Sequence, residues 1–114
     1  MRSIFLLAAL SLLGCAGIMS PGDDVPAWVV GLIRQMESEP VANPPAFVAR
    51  YEYRDAEVYY VPPRCCDVPS TLYDASGTVL CHPDGGLAGD GDGRCPDFLA
   101  ERRNEKIVWR DRRG

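Results

Sequence analysis

The sequence predicts a small α+β domain: one N-terminal amphipathic helix packed on an antiparallel sheet of two hairpins, stapled by disulfides and carrying a glycine-rich loop. Three observations carry that prediction. Apolar residues recur at helical spacing between Trp28 and Met36. Two later stretches alternate apolar and polar residues and each folds back about a turn, near Asp55 and near Asp74. Four cysteines, Cys65, Cys66, Cys81 and Cys95, fall between Pro62 and Phe98 together with most of the glycines, and an even number in a chain of 114 residues reads as a disulfide framework. This length allows at most one domain.

The chain begins with Arg2, an apolar run from Ile4 to Leu13, and Gly14 before Cys15. The run is too short to span a bilayer and has the layout of a secretory signal peptide. Leu12-Leu13-Gly14-Cys15 resembles the bacterial lipobox, with an apolar residue three before the cysteine and a small one directly before it. That resemblance implies lipidation at Cys15 and attachment to the cell envelope. Ala16 follows the cysteine, where Asp favours inner-membrane retention, so an outer-membrane location is implied if the host has one. The organisation expected is a signal peptide over 1–14, a lipidated tether over 15–22 and one α+β domain over 23–114.

Asp24 is placed to cap a helix whose first turn accepts Pro26, where the missing N–H costs nothing. Trp28, Leu32 and Met36, flanked by Val25, Val29 and Ile33, form one apolar stripe, and Pro40 ends the helix. After an extended VANPPA connector, Ala49, Tyr51 and Tyr53 alternate with Arg50, Glu52 and Arg54. A turn at Asp55-Ala56 would set Tyr53 opposite Val58 and Tyr51 opposite Tyr60, an aromatic face that the helix stripe is expected to cover. The other face would carry Glu52 beside Tyr59 and Arg50 beside Val61. In the second hairpin, Ser70 to Tyr73 and Thr78 to Cys81 flank a type I turn, Asp74-Ala75-Ser76-Gly77, with Gly77 in the left-handed position. From His82 to Arg94 the composition is nearly all Gly, Pro and Asp without periodicity, which marks an irregular loop held by its neighbours. A turn of helix is expected between Pro96 and Asn104, an edge strand at Ile107 to Trp109, and a frayed end from Arg110.

Adjacent cysteines rarely bridge each other, so Cys65 and Cys66 are each expected to reach Cys81 or Cys95. Of the two connectivities, Cys66–Cys81 with Cys65–Cys95 is favoured, because Cys81 ends the hairpin nearest Cys66. A zinc site formed by the cysteines with His82 lacks the usual C-x2–4-C knuckles. A calcium loop is the remote alternative: Asp90 and Asp92 alternate as calcium ligands do, with Glu101 at the position of a closing glutamate, but Arg94 and Cys95 occupy positions where that loop needs Asp or Asn and Gly. No metal or other cofactor is expected.

The chain carries 12 basic and 16 acidic residues, a net charge of −4. Residues 15–100 hold 5 basic and 13 acidic side chains, whereas 101–114 hold 6 and 3. That balance excludes nucleic acid as a partner. With a single His, no G-x-S-x-G and no phosphate-binding loop, no nucleophile–base pair is available, and an enzyme is not expected.

The run YEYRDAEVYYVPPRCCDVPSTLYDASGTVLCHPDGG, followed by GDGRCPDF and NEKIVW, resembles a family of small bacterial lipoproteins classed as a domain of unknown function. The resemblance extends from Trp28 to Trp109 and departs from the family pattern at Asp55-Ala56 and at Asp90. It implies no activity. The order helix, hairpin, hairpin is also similar to cystatin-like and PepSY-type modules, an analogy of fold alone. The function expected is a non-catalytic binding or interaction module of the cell envelope, held to the membrane by its lipid and engaging an envelope protein. The alternatives are a structural envelope component without a specific ligand and a protease-inhibitor-like protein.

Overall fold

A computed structural model describes residues 25–65 and 67–113. The signal peptide and tether expected over 1–22, the lipidation site Cys15, the capping residue Asp24 and Cys66 lie outside the described residues.

The described chain runs α1 (Ala27–Ser38), β1 (Phe47–Tyr53), β2 (Ala56–Val61), β3 (Thr71–Asp74), β4 (Val79–Cys81), α2 (Phe98–Glu101) and β5 (Arg103–Arg110). The strands form one antiparallel five-stranded sheet in the order β4-β3-β2-β1-β5. The two expected hairpins are its meander. The fifth strand extends the expected Ile107–Trp109 edge to eight residues, because the long β1 offers a second edge for it to pair along, from Phe47↔Arg110 to Glu52↔Arg103. No helix among the described residues is long and apolar enough to cross a membrane.

The first hairpin turns one residue earlier than expected. Arg54 and Asp55, with φ of 51° and 61°, form a two-residue turn with both central residues left-handed, the type whose twist matches the flanking strands. Tyr53 therefore faces Ala56, Tyr51 faces Val58 and Ala49 faces Tyr60. The register moves by two positions, so every side chain keeps its expected face. The second hairpin forms about the expected turn, with its strands at Thr71–Asp74 and Val79–Cys81 and a register irregularity between Leu72 and Tyr73. Thr78 C=O accepts from Asp74 N–H at 2.9 Å, and Gly77 has φ of 91°.

Neighbouring strand residues point to opposite faces, and because apolar residues stand at both parities, both faces of the sheet carry apolar side chains and each has its own cover. On one face Ala49, Tyr51, Tyr53, Val58, Tyr60 and Leu72 pack with Phe98 and with Cys81 and Cys95. Phe98 is fully buried and meets Tyr51 and Tyr53 edge-on at ring separations of 5.6 and 5.3 Å. On the opposite face Val48 and Tyr59 take α1 through Val29, with Trp28, Ile33 and Met36 alongside. The expectation that α1 covers Tyr51, Tyr53 and Tyr60 is thus corrected. Those rings are covered by the later segment around Phe98, while Val48, Tyr59 and Tyr73 make the other face equally receptive despite Arg50 and Glu52. Val29 is the fully buried residue of α1, and Leu32 is only part-buried.

Both ends of α1 are fixed to the sheet. Pro26 precedes the helix with no side-chain cap. At that end the Trp28 indole lies over Gly77, where a Cβ would sit 2.9 Å from the ring, and its Nε1–H donates to Ala75 C=O at 2.8 Å. At the other end Arg113 donates to the carbonyls of Glu37 and Glu39, both at 3.0 Å, filling acceptors that a helix C-terminus leaves unsatisfied. Buried Asp111 holds that guanidinium at 2.8 Å. The tail expected to fray from Arg110 is instead a clasp. The helix consequently starts at the end of the sheet bearing the two hairpin turns and finishes at the opposite end.

Candidate functional site: a disulfide-closed loop

Residues 82–94 lack a hydrophobic pattern of their own, and their order comes from covalent and polar ties. Cys81 pairs with Cys95 across a Cα–Cα distance of 6.2 Å, closing the loop at its base. This pairing replaces the expected Cys66–Cys81 and Cys65–Cys95. The return of the chain after β4 places Cys95 beside Cys81 in the buried cluster with Phe98, within bridging distance. Cys65 is also disulfide-bonded, and its partner sulfur lies outside the described residues.

Inside the loop, Asp84 is a hub. Its carboxylate accepts from the Tyr60 hydroxyl at 2.9 Å and from the buried Ser70 hydroxyl, and its C=O accepts from Ser70 N–H at 2.9 Å. Burial, and then the hydrogen bond to Asp84, push the Tyr60 hydroxyl well above its ordinary pKa, keeping it a donor. His82 Nδ1 lies 2.8 Å from Ser70 C=O. Asp92 accepts from Arg94 N–H at 3.0 Å and from His82 N–H at 3.1 Å; these bonds, the Arg94 amide foremost, hold its carboxyl below the usual range. Gly91, at φ of 67°, passes so close to the His82 carbonyl that a Cβ would overlap it.

Beyond these ties the chain makes one tight turn. Gly89 N–H donates to Gly86 C=O at 3.3 Å, and Gly85 N–H donates to Gly89 C=O at 3.1 Å. Leu87 stands on that turn, 89% exposed. Gly85 bridges Pro69, just before β3, and so places the tip at the end of the sheet away from the start of α1. Val68, 52% exposed, is the neighbouring apolar residue on the segment beside it.

The sequence-predicted site residues fare differently. Asp90 and Asp92 share the loop, but both Asp92 oxygens are committed to backbone donors that a cation would have to displace. Among the described residues no group of three or more His, Cys, Asp or Glu side chains is placed to hold a metal ion. Glu101 ends α2, on a different element from the loop.

Three tyrosines that the sequence reading treated as plain core each end on a carboxylate. Tyr51 donates to Glu105, Tyr53 to Asp97 and Tyr60 to Asp84. These pairs tie β5, α2 and the loop to the same sheet face. Leu87 was also missed, although its signal was present: a large apolar residue between glycines in a run otherwise made of Gly, Ala and Asp.

The family model described as "Domain of unknown function (DUF6970)" matches residues 34–111, most of the chain, and the chain belongs to that family. No curated protein and no solved structure matches it.

Proposed function

We propose that this member of the DUF6970 family is a lipid-anchored, non-catalytic binding module of the cell envelope that engages a protein partner through the loop tip at Leu87. The observation that carries the reading is a leucine 89% exposed on a loop closed at its base by a disulfide. Exposing a leucine gains nothing for folding, and ordering a glycine-rich loop costs more conformational entropy than ordering any other. A loop ordered in advance loses little further entropy on binding, so contacts at its tip convert efficiently into affinity.

Orientation supports the same reading. The described chain begins at the hairpin-turn end of the sheet, and the loop tip lies at the other. An anchor attached through Cys15 would therefore leave Leu87 facing away from the bilayer. The protease-inhibitor variant is the less favoured, since it requires an extended segment around Leu87 and the Gly86–Gly89 bond closes that segment into a turn.

The test is affinity capture from envelope extracts by the full-length protein and by Leu87→Asp, with melting temperature as the folding control. Stoichiometric capture by the first and at least tenfold less by the second, at equal melting temperature, is the expected result. Capture unaffected by the substitution, or no stoichiometric capture, overturns the loop reading and favours a structural component.

A further inference from the structure

At the hairpin-turn end, the sheet face that carries Phe98 is left partly uncovered. β4 is only three residues long, and Phe98 reaches over Tyr51, Tyr53 and Tyr60 but not over the ends of β2 and β4. What remains is a cavity of about 400 Å³, within the range of small-molecule sites. Val58, Leu80 and Ala56 line it together with Cys81 and Cys95, so the disulfide fixes one of its walls.

The polar groups at its rim are unequal. Arg54 lies 4.8 Å over the Tyr53 ring and is paired with Asp97 at 3.1 Å. The Asp74 carboxylate turns into its own hairpin, where Oδ1 accepts from Ser76 N–H at 2.9 Å and Thr78 N–H at 3.0 Å. Arg94 is exposed, its backbone N–H is bound to Asp92, and its guanidinium makes none of the ion pairs found among the described residues. Its charge helps to lower the pKa of nearby Asp92, but no salt bridge among the described residues holds it. An aliphatic floor beside a guanidinium that no such salt bridge fixes is the chemistry that selects an apolar body ending in a single carboxylate, for which a guanidinium offers two parallel donors.

We propose that this cavity binds a small carboxylate amphiphile, its apolar chain on Val58, Leu80 and the disulfide and its head group on Arg94. The site stands apart from the loop tip, and Leu87 has no part in it.

Titration of the purified protein with decanoate, decanol and decyltrimethylammonium, followed by the methyl resonances of Val58 and Leu80, tests the proposal. Decanoate should shift these resonances saturably at one molecule per chain, decanol should bind more weakly, and the cation should bind least. Arg94→Gln should weaken decanoate at least fivefold and leave decanol unchanged. Ala56→Phe, which fills the floor from an exposed position, should abolish both while the remaining spectrum stays that of the folded protein. No saturable shift with decanoate, equal binding of the cation, or decanoate affinity unchanged in Arg94→Gln would overturn it.

Discussion

Individual residues define what this chain tolerates. At Gly91 the left-handed backbone and the adjacent His82 carbonyl together exclude a side chain. Gly91→Ala is expected to disorder the loop while leaving the sheet intact. Amide exchange should then rise at Gly85, Gly89 and Asp92 and stay unchanged along β1 and β2; equal protection in both proteins would show that the loop yields without cost. The lipidation proposed at Cys15 is tested at the same scale. If the lipobox is used, Cys15→Ser moves the protein out of the membrane fraction, and its persistence there after a high-salt wash would refute lipidation. Phe98 is the residue on which one whole face depends. Phe98→Ala should cost about 3–5 kcal/mol in a denaturant melt, the range for truncating a buried aromatic. Leu32→Ala, on the part-buried side of α1, should cost less than truncating Val29.

At the scale of elements, the sequence showed a helix, a first hairpin displaced by one residue and a second hairpin about the expected turn, because each has a local cause. Four-residue apolar spacing makes the helix, alternation makes the strands, and Gly77 makes the turn. What it did not show depended on distant partners. Alternation assigns residues to a face but does not say which element covers that face, so α1 was expected over Tyr51, Tyr53 and Tyr60 when Phe98 takes that place. Cysteine pairing is likewise a matter of where the chain returns, and spacing alone pointed away from Cys81–Cys95. Arg113 was unreadable for the same reason, since its acceptors lie at the end of α1, on Met36, Glu37 and the following Glu39. The candidate site was half legible: the loop was visible by composition, its pinning by Ser70, Asp84 and Tyr60 was not. The disulfide closes a short loop, with a sequence separation of 14. Its selective removal by Cys81→Ala with Cys95→Ala should cost about 3 kcal/mol. Intact mass without reductant should lie about four hydrogens below the all-thiol value, two per bridge.

For the whole molecule, charge sets the pH window of stability. Asp92, Asp97 and Asp111 are held below the ordinary carboxylate range, first by the Arg94 amide, the Tyr53 hydroxyl and the Arg113 side chain respectively. Groups depressed in the folded state stabilise it fully above their unfolded pKa of about 4, and that contribution is lost as pH falls through the folded values. The tyrosines act in the opposite sense. Burial, followed by the hydrogen bond to Glu105, raises Tyr51 from 10.0 to about 12. Its contribution is complete below pH 10 and disappears as pH rises towards 12. Denaturant melts should therefore show a plateau at neutral pH, with losses below about pH 4 and above about pH 10. Stability still rising above pH 10 would contradict the tyrosine–carboxylate ties.

The central claim, that the loop tip is the surface this protein offers to a partner, is tested most directly by photocrosslinking in intact cells. A photoreactive residue is placed at position 87 of the full-length chain and, for comparison, at position 79, where Val79 is exposed on β4. The account predicts one discrete protein adduct from position 87 and none from position 79. Equal labelling from both positions, or no adduct from position 87, would contradict it.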